Sequence, residues 1–203
     1  MHDPELGRHG DDRPFVLWRL DGPHPMLSTA PLGGGWGRRS WILNAQVELD
    51  YARTDPDAHA AEIAAGAGAV GPGVGMLTAA DLTPGYAEDD GVRAWATVGV
   101  TSPTWAADVD DAISAWVPGT INLVVSVPHA LTDAAMVNAV TTATEAKVQA
   151  LAEAGVPGTG TASDAVCLVC APDGPADEFG GPRSTGGARG GRAVHAAVGE
   201  RRR

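Results

Sequence analysis

The segment that constrains this chain most runs from residue 120 to residue 153. It opens with TINLVVSV, an apolar and β-branched run that reads as a strand. Thr132 then stands where a helix N-cap belongs, and residues 133–153 form a long helix closed by Gly155 and Pro157. Further strands are read at 15–19 (FVLWR), 26–29, 40–43, near 74–78, at 92–100 (VRAWATVGV) and at 165–171. A helix is expected at 57–65, with Asp55 or Asp57 near its cap, and another at 188–199. GGGWGRR at 33–39, the glycine-rich 66–75 and the stretch 173–187 read as loops. Strands outnumber helices and are partly consecutive, so the class is α+β, a single domain with helices layered on a mixed sheet. Residues 1–13 are expected to be a flexible leader, 14–172 the domain proper, and 173–203 a Gly/Arg-rich loop and C-terminal helix ending the same domain.

Composition bounds the function. At 203 residues and 44% hydrophobic, the chain can build one real core. No run approaches the ~18 apolar residues of a membrane span. The N-terminal MHDPELGRHGDDRP has no apolar stretch of the secretory kind. A formal charge of −11 suits a phosphate backbone poorly, so a nucleic-acid partner is not expected. Six arginines from Pro182 onward, ending Arg201-Arg202-Arg203, read as a solvated helix end. Cys167 and Cys170 lie in apolar AVCLVC with no second pair, which reads as two core thiols pointing to opposite faces of a strand. Nothing asks for an oxidising compartment, so the expected location is cytoplasmic.

The familiar short motifs do not carry chemistry here. GAGAVG, 66–71, matches the dinucleotide fingerprint in letters but follows a helical run and leads into Pro72. GGGWGRRS has no G-K-[ST], and G-x-S-x-G and H-E-x-x-H are absent. His129, after a strand, is the best placed of six histidines, and a loop-exposed role accounts for it. No metal site is expected.

The long helix says more. At about 100° per residue, Asn138, Thr142, Glu145 and Gln149 form a polar stripe, opposite Met136, Val140, Ala143 and Leu151. Lys147, the only lysine of the chain, falls in the middle of the apolar arc. It either snorkels past Ala143 to water or is held in a pocket, where desolvation would suit it to base or electrostatic work. Glu145 and Lys147 project about 200° apart and are alternatives rather than partners. Hydroxyl, amide and carboxyl groups also gather at strand ends: Thr78 and Asp81, Thr97, Thr101 and Ser102, Thr120 and Asn122, Thr159, Thr161 and Asp164. They read as caps and turns, or as a polar pocket able to hold amides.

Six strings, ILNAQV, VGMLTAADL, ATVGVTSPT, PGTINLVV, AAMVNAVTTATEAKVQAL and GTGTASDAV, occur in this order over residues 15–171. Together they resemble the adenosylcobinamide amidohydrolase family. The leader and the arginine-ended tail lie outside this resemblance. It implies hydrolysis of the amide between the corrin propionate arm and aminopropanol, giving adenosylcobyric acid and 1-amino-2-propanol for cobalamin salvage, with the corrinoid as substrate and no further cofactor. A non-catalytic corrinoid binder and an amidohydrolase acting on another amide are the competing readings.

Amide hydrolysis needs a nucleophile, a proton shuttle and an oxyanion stabiliser. Two routes are expected. In one, Lys147 or Glu145 activates water while Asn122, Asn138 or backbone N–H groups near Gly119–Thr120 hold the oxyanion. In the other, Thr120 or another strand-end hydroxyl is a nucleophile paired with Lys147. Asn44, Thr78, Asp81, Thr101, Ser102, Asn138, Thr142, Thr161 and Asp164 are candidate substrate-binding residues. Trp95, Trp105 and Trp116 read first as core, second as a floor for a flat ligand.

Overall fold

The computed structural model of the chain describes residues 1–10, 12–109 and 119–200. Along them run β1 (Glu5–His9), β2 (Arg13–Ser28), β3 (Gly35–Gln46), α1 (Pro56–Gly66), β4 (Gly73–Thr78), β5 (Gly85–Asp89), β6 (Val92–Gly99), β7 (Thr120–Val127), β8 (Ala130–Leu131), α2 (Asp133–Glu153), β9 (Ala165–Cys170), β10 (Ala176–Asp177) and α3 (Thr185–Glu200). The main sheet has the order β4-β3-β2-β9-β7-β6-β5, with β1 added beside β2, and β8 and β10 form a separate small pair. It is a mixed sheet. β3–α1–β4 and β7–α2–β9 each join parallel neighbours through a helix, and the remaining pairs are antiparallel. The fold is α+β, with one long helix.

The period of two along each strand sorts side chains into two cores. Ile121, Leu123, Val125 and Val127 of β7, with Val92, Ala94 and Ala96 of β6, face α2 and α3. Val124, Trp95, Cys167, Trp18, Ile42 and Met76 form a second core on the opposite face. Strands far apart in the sheet meet there. Asn44 of β3 bonds Thr97 of β6 and Asn122 of β7, which lie four and three places away in the strand order. The sheet therefore curls over on itself, with Trp18 and Trp95 edge to face at 5.8 Å in the fold. Burying side chains of this size is worth about 1.5–3 kcal/mol each.

α2 follows from its sequence. Thr132 caps it by accepting from the Ala135 N–H at 3.2 Å, and Gly155, at φ +72°, turns the chain out of it. Its buried face is mostly alanine, which lets α3 and the sheet approach closely.

Four expectations give way to the structure. Residues 1–13 are not a flexible leader throughout, because Glu5–His9 pairs antiparallel with β2. Its polar letters are those of an exposed edge strand, fixed by Arg19 to Glu5 at 3.0 Å and by His9 to the Gln46 carbonyl at 2.9 Å. Strands at 15–19 and 26–29 are one long strand with an irregularity between Arg19 and His24, where Pro23 interrupts the pattern. Part of the 33–39 loop is strand: Gly35–Arg39 pairs with β2. α3 begins at Thr185, ahead of the expected 188. Glycine at 73 reflects close packing, since a Cβ there would overlap the Trp41 ring paired beside it. Cys167 and Cys170 are buried thiols in opposite cores, as the strand period requires, and burial pushes Cys167 up to about 12.

Candidate functional site

Each inner run of apolar side chains ends in a polar one at the same rim. Ile42 is followed by Asn44, Met76 by Thr78, Trp95 by Thr97, and Val124 is preceded by Asn122. All four polar residues are buried. The ends of β3 and β4 meet the starts of β7 and β9 at this rim, around a cavity of about 470 Å³. Thr78, Thr120, Asn122, Ser163, Asp164 and Tyr51 are among its lining residues.

The hydrogen bonds fix which way the amides point. Asn122 Nδ2 donates to the Leu77 carbonyl at 3.0 Å and to Asn44 Oδ1 at 2.8 Å. A carbonyl can only accept, so the NH₂ of Asn122 must face it. Asn44 Nδ2 donates onward to Thr97 Oγ1 at 2.9 Å. Both donors of Asn122 are thus spent, and its Oδ1 is buried with no hydrogen-bond partner among the described residues. An orphaned acceptor in a residue only 2% exposed is costly, and groups of this kind call for an explanation.

Asp164 has no such spare capacity. Oδ1 accepts from the Ile121 N–H at 2.9 Å and lies 2.5 Å from the Thr161 hydroxyl. Oδ2 accepts from Lys147 Nζ at 2.5 Å, and the Thr161 N–H is 3.2 Å from both oxygens. The ion pair is buried, with side chains 8% and 13% exposed. Lys147 therefore points inward rather than snorkelling to water. A Cβ on Gly160 would overlap Asp164 Oδ2 and come within 2.6 Å of Lys147 Nζ, so this approach needs glycine. Thr120 Oγ1 and Ser163 Oγ lie 3.0 Å apart, and Ser163 donates to the Gly119 carbonyl at 3.0 Å. Two loops, one entering β7 and one entering β9, are tied together by hydroxyls on the cavity side and by Asp164 accepting from the Ile121 N–H, with Lys147 of α2 holding Asp164 from behind.

A family model described as adenosylcobinamide amidohydrolase matches residues 1–201. The chain belongs to the adenosylcobinamide amidohydrolase family. The adenosylcobinamide amidohydrolase of Methanosarcina mazei is 32% identical over 161 residues, spanning 77% of this chain and 76% of that one. That of Halobacterium salinarum is 45% identical over 82 residues, 40% of this chain and 35% of that protein. The match takes in the N-terminal strand, which the six strings had left outside the resemblance. In this member of the family, no helix among the described residues is long and apolar enough to cross a membrane.

The structure gathers part of the expected site and disperses the rest. Thr78, Thr120, Asn122 and Asp164 line the cavity, Asn44 supports Asn122, and Thr161 and Lys147 hold Asp164. Glu145, Thr142 and Gln149 line a different cleft of about 350 Å³ with Arg192 and His195 of α3. Thr142 is buried, its hydroxyl bonded to the Asn138 and Gly180 carbonyls, and Asn138 is exposed beside Gly181. Asp81 closes a local turn by accepting from the Thr83 N–H at 2.7 Å, while Thr101 is exposed and Ser102 half-buried in the next loop. Trp95 is core, Trp105 is 54% exposed, and Trp116 lies outside the described residues, as do Arg201–203. His129 is exposed. Ser163 and Tyr51 are cavity residues that motif reading passed over. Ser163 sat between Thr161 and Asp164 in GTGTASD, and nothing local marked Tyr51.

Proposed function

We propose that this chain hydrolyses adenosylcobinamide at the amide between the corrin propionate arm and aminopropanol. The products are adenosylcobyric acid and 1-amino-2-propanol, the acid returning to cobalamin assembly. The corrinoid is the substrate and no further cofactor takes part. Two unpaired buried thiols and the acidic surface fit a cytoplasmic enzyme without nucleic-acid partners.

The observation that carries the assignment to this cavity is the orphaned Asn122 Oδ1. A secondary amide brings one N–H donor and one carbonyl acceptor. The N–H satisfies Asn122 Oδ1, which makes Asn122 an acceptor for the substrate rather than an oxyanion donor. The Thr78 hydroxyl accepts from the Ala80 N–H at 3.0 Å and keeps its proton for the substrate carbonyl. Neutral donors fixed in a water-poor site stabilise the developing oxyanion. Both oxygens of Asp164 are already taken up by hydrogen bonds from the protein, so we assign it and Lys147 to holding the two loops in register. The nucleophile is one of the paired hydroxyls, Thr120 or Ser163, or a water held between them.

The test is incubation of the purified protein with adenosylcobinamide and detection of released 1-amino-2-propanol and adenosylcobyric acid. Release is expected. Tight binding without release supports a corrinoid binder instead, and release only from another amide assigns a different substrate.

A further inference from the structure

The reaction cavity has a neighbour. Beyond Val47, Glu48 and Tyr51, which line both, lies a second cavity of about 720 Å³ that includes His9 and His59. Four rings run in contact along this side of the molecule. Phe15 lies against His9 at 6.4 Å, His9 against His59 at 6.2 Å, and Tyr51 stacks on His59 at 5.5 Å with the planes 11° apart. Tyr51 and His59 are also tied by a 3.0 Å hydrogen bond between the phenol oxygen and Nδ1. Phe15 belongs to the core around α1, so the row of rings is anchored at one end and reaches the reaction cavity at the other.

The electrostatics keep this ledge uncharged. Burial, then the nearby Arg53 guanidinium, hold His59 below its ordinary value, so it is neutral at pH 7, and burial raises the Tyr51 phenol. The arginines at this edge are already matched, Arg13 to Glu48 at 2.9 Å and Arg53 to Asp55 and Glu62. Beside Arg13, Glu48, Asp50 and Arg53, the cavity wall presents the Tyr51 and His59 rings with their hydrogen-bonding edges, a surface suited to a flat conjugated ligand. A cavity of 470 Å³ accommodates a drug-sized group. It takes the amide arm of a corrinoid, and the macrocycle must lie outside it.

We propose that the second cavity is the macrocycle compartment: the corrin ring rests on the Tyr51–His59 ledge while its aminopropanol arm crosses Val47 into the reaction cavity. This rests on the reading that the substrate is a corrinoid amide. It makes Tyr51 and His59 determinants of ring binding.

The test is equilibrium dialysis with adenosylcobyric acid, which keeps the ring and lacks the arm, and separately rapid-mixing measurement of adenosylcobinamide binding before turnover. His59→Ala and Tyr51→Ala, each shown to be folded by circular dichroism, are expected to raise Kd about tenfold for both ligands. Tyr51→Phe, which retains the ring, stays within about twofold of the unaltered protein. Unchanged Kd values in both alanine variants overturn the proposal, and so does a loss confined to adenosylcobinamide, since that places the rings against the arm. A protein that binds through these rings and releases no aminopropanol sinks the hydrolysis reading alone. One that hydrolyses adenosylcobinamide with Kd insensitive to both variants sinks this inference alone.

Discussion

Glu145 and Lys147 are two residues apart on α2, and they face opposite worlds. Glu145 is exposed in a cleft between α2 and α3, among Gln149, Arg192 and His195. Lys147 is buried on the sheet side and holds Asp164 at 2.5 Å. Two charges of the α2–α3 cleft already have partners: His195 bonds Glu153 at 2.8 Å and Arg192 bonds Asp89. Asn122, in the wall of the strand-end cavity, carries a buried acceptor with no partner among the described residues. That difference, more than the charge of either residue, separates a surface groove from a site. Helix angles place two side chains on different faces, and only the loops packed against each face decide what either can do.

The largest effect on stability is expected at Lys147. Lys147→Ala leaves the Asp164 carboxylate buried without its cation, and breaking a buried pair from one side costs about 3–5 kcal/mol. Denaturant unfolding reads this directly. Aminopropanol release should fall more than about a hundredfold, because the Thr120 and Ser163 hydroxyls ride on the loops that Asp164 ties together. A variant as stable as the parent but inactive would place Lys147 on the substrate, and the two sides of α2 would then differ in chemistry rather than in architecture.

The cavity hydroxyls come next. Ser163→Ala and Thr120→Val each remove one member of a 3.0 Å pair in a cavity wall, at a cost of about 1 kcal/mol in stability. If either hydroxyl is the nucleophile, its variant loses at least about a thousandfold in kcat while the other loses about tenfold. If both fall equally and modestly, a water held between them does the attack. Loss of stability without loss of turnover in both would leave the Asn122 acceptor and the Thr78 hydroxyl as the cavity's links to the reaction.

Much of this architecture was legible in the sequence. TINLVVSV and the capped 133–153 helix are where their letters put them, because β-branched content, a Thr cap and a Gly–Pro stop act locally. β1 and the first half of β3 were not legible. Apart from Leu6 and Trp36 their residues are polar or glycine, and they become strands by pairing with β2. The site was half legible for a related reason. Thr78, Thr120, Asn122 and Asp164 stand in recognisable strings, yet their meeting depends on the curl that brings β3 and β4 against β6 and β7. No spacing in the chain announces a contact between Asn44 and Asn122, or the 17-residue separation that joins Lys147 to Asp164. The donor count that turns Asn122 into an acceptor exists only once Leu77 and Asn44 are beside it.

Gly160→Ala tests the packing of the same region without touching its chemistry. The added methyl overlaps Asp164 Oδ2 and crowds Lys147 Nζ, so the pair must shift or part. A loss of about 1–3 kcal/mol is expected from overpacking, with turnover reduced in step. A neutral outcome would mean that the loop carrying Gly160 yields easily, and the ion pair would then be an elastic tie rather than a fixed strut.

The smallest effect is expected on the other side of the helix. Glu145→Gln keeps the shape of an exposed side chain and removes its charge, and substitutions at such positions move stability by no more than about 0.5 kcal/mol. Turnover should stay within about twofold of the parent, since Glu145 lines the α2–α3 cleft and not the cavity that holds Asn122. Steady-state rates of aminopropanol release at saturating adenosylcobinamide decide it. Should Glu145→Gln abolish turnover while Lys147→Ala merely destabilises, the assignment reverses. The α2–α3 cleft, with Glu145, Arg192 and His195 as its ionisable groups, would become the reaction site, and the buried cluster at the strand ends would be reduced to holding the fold.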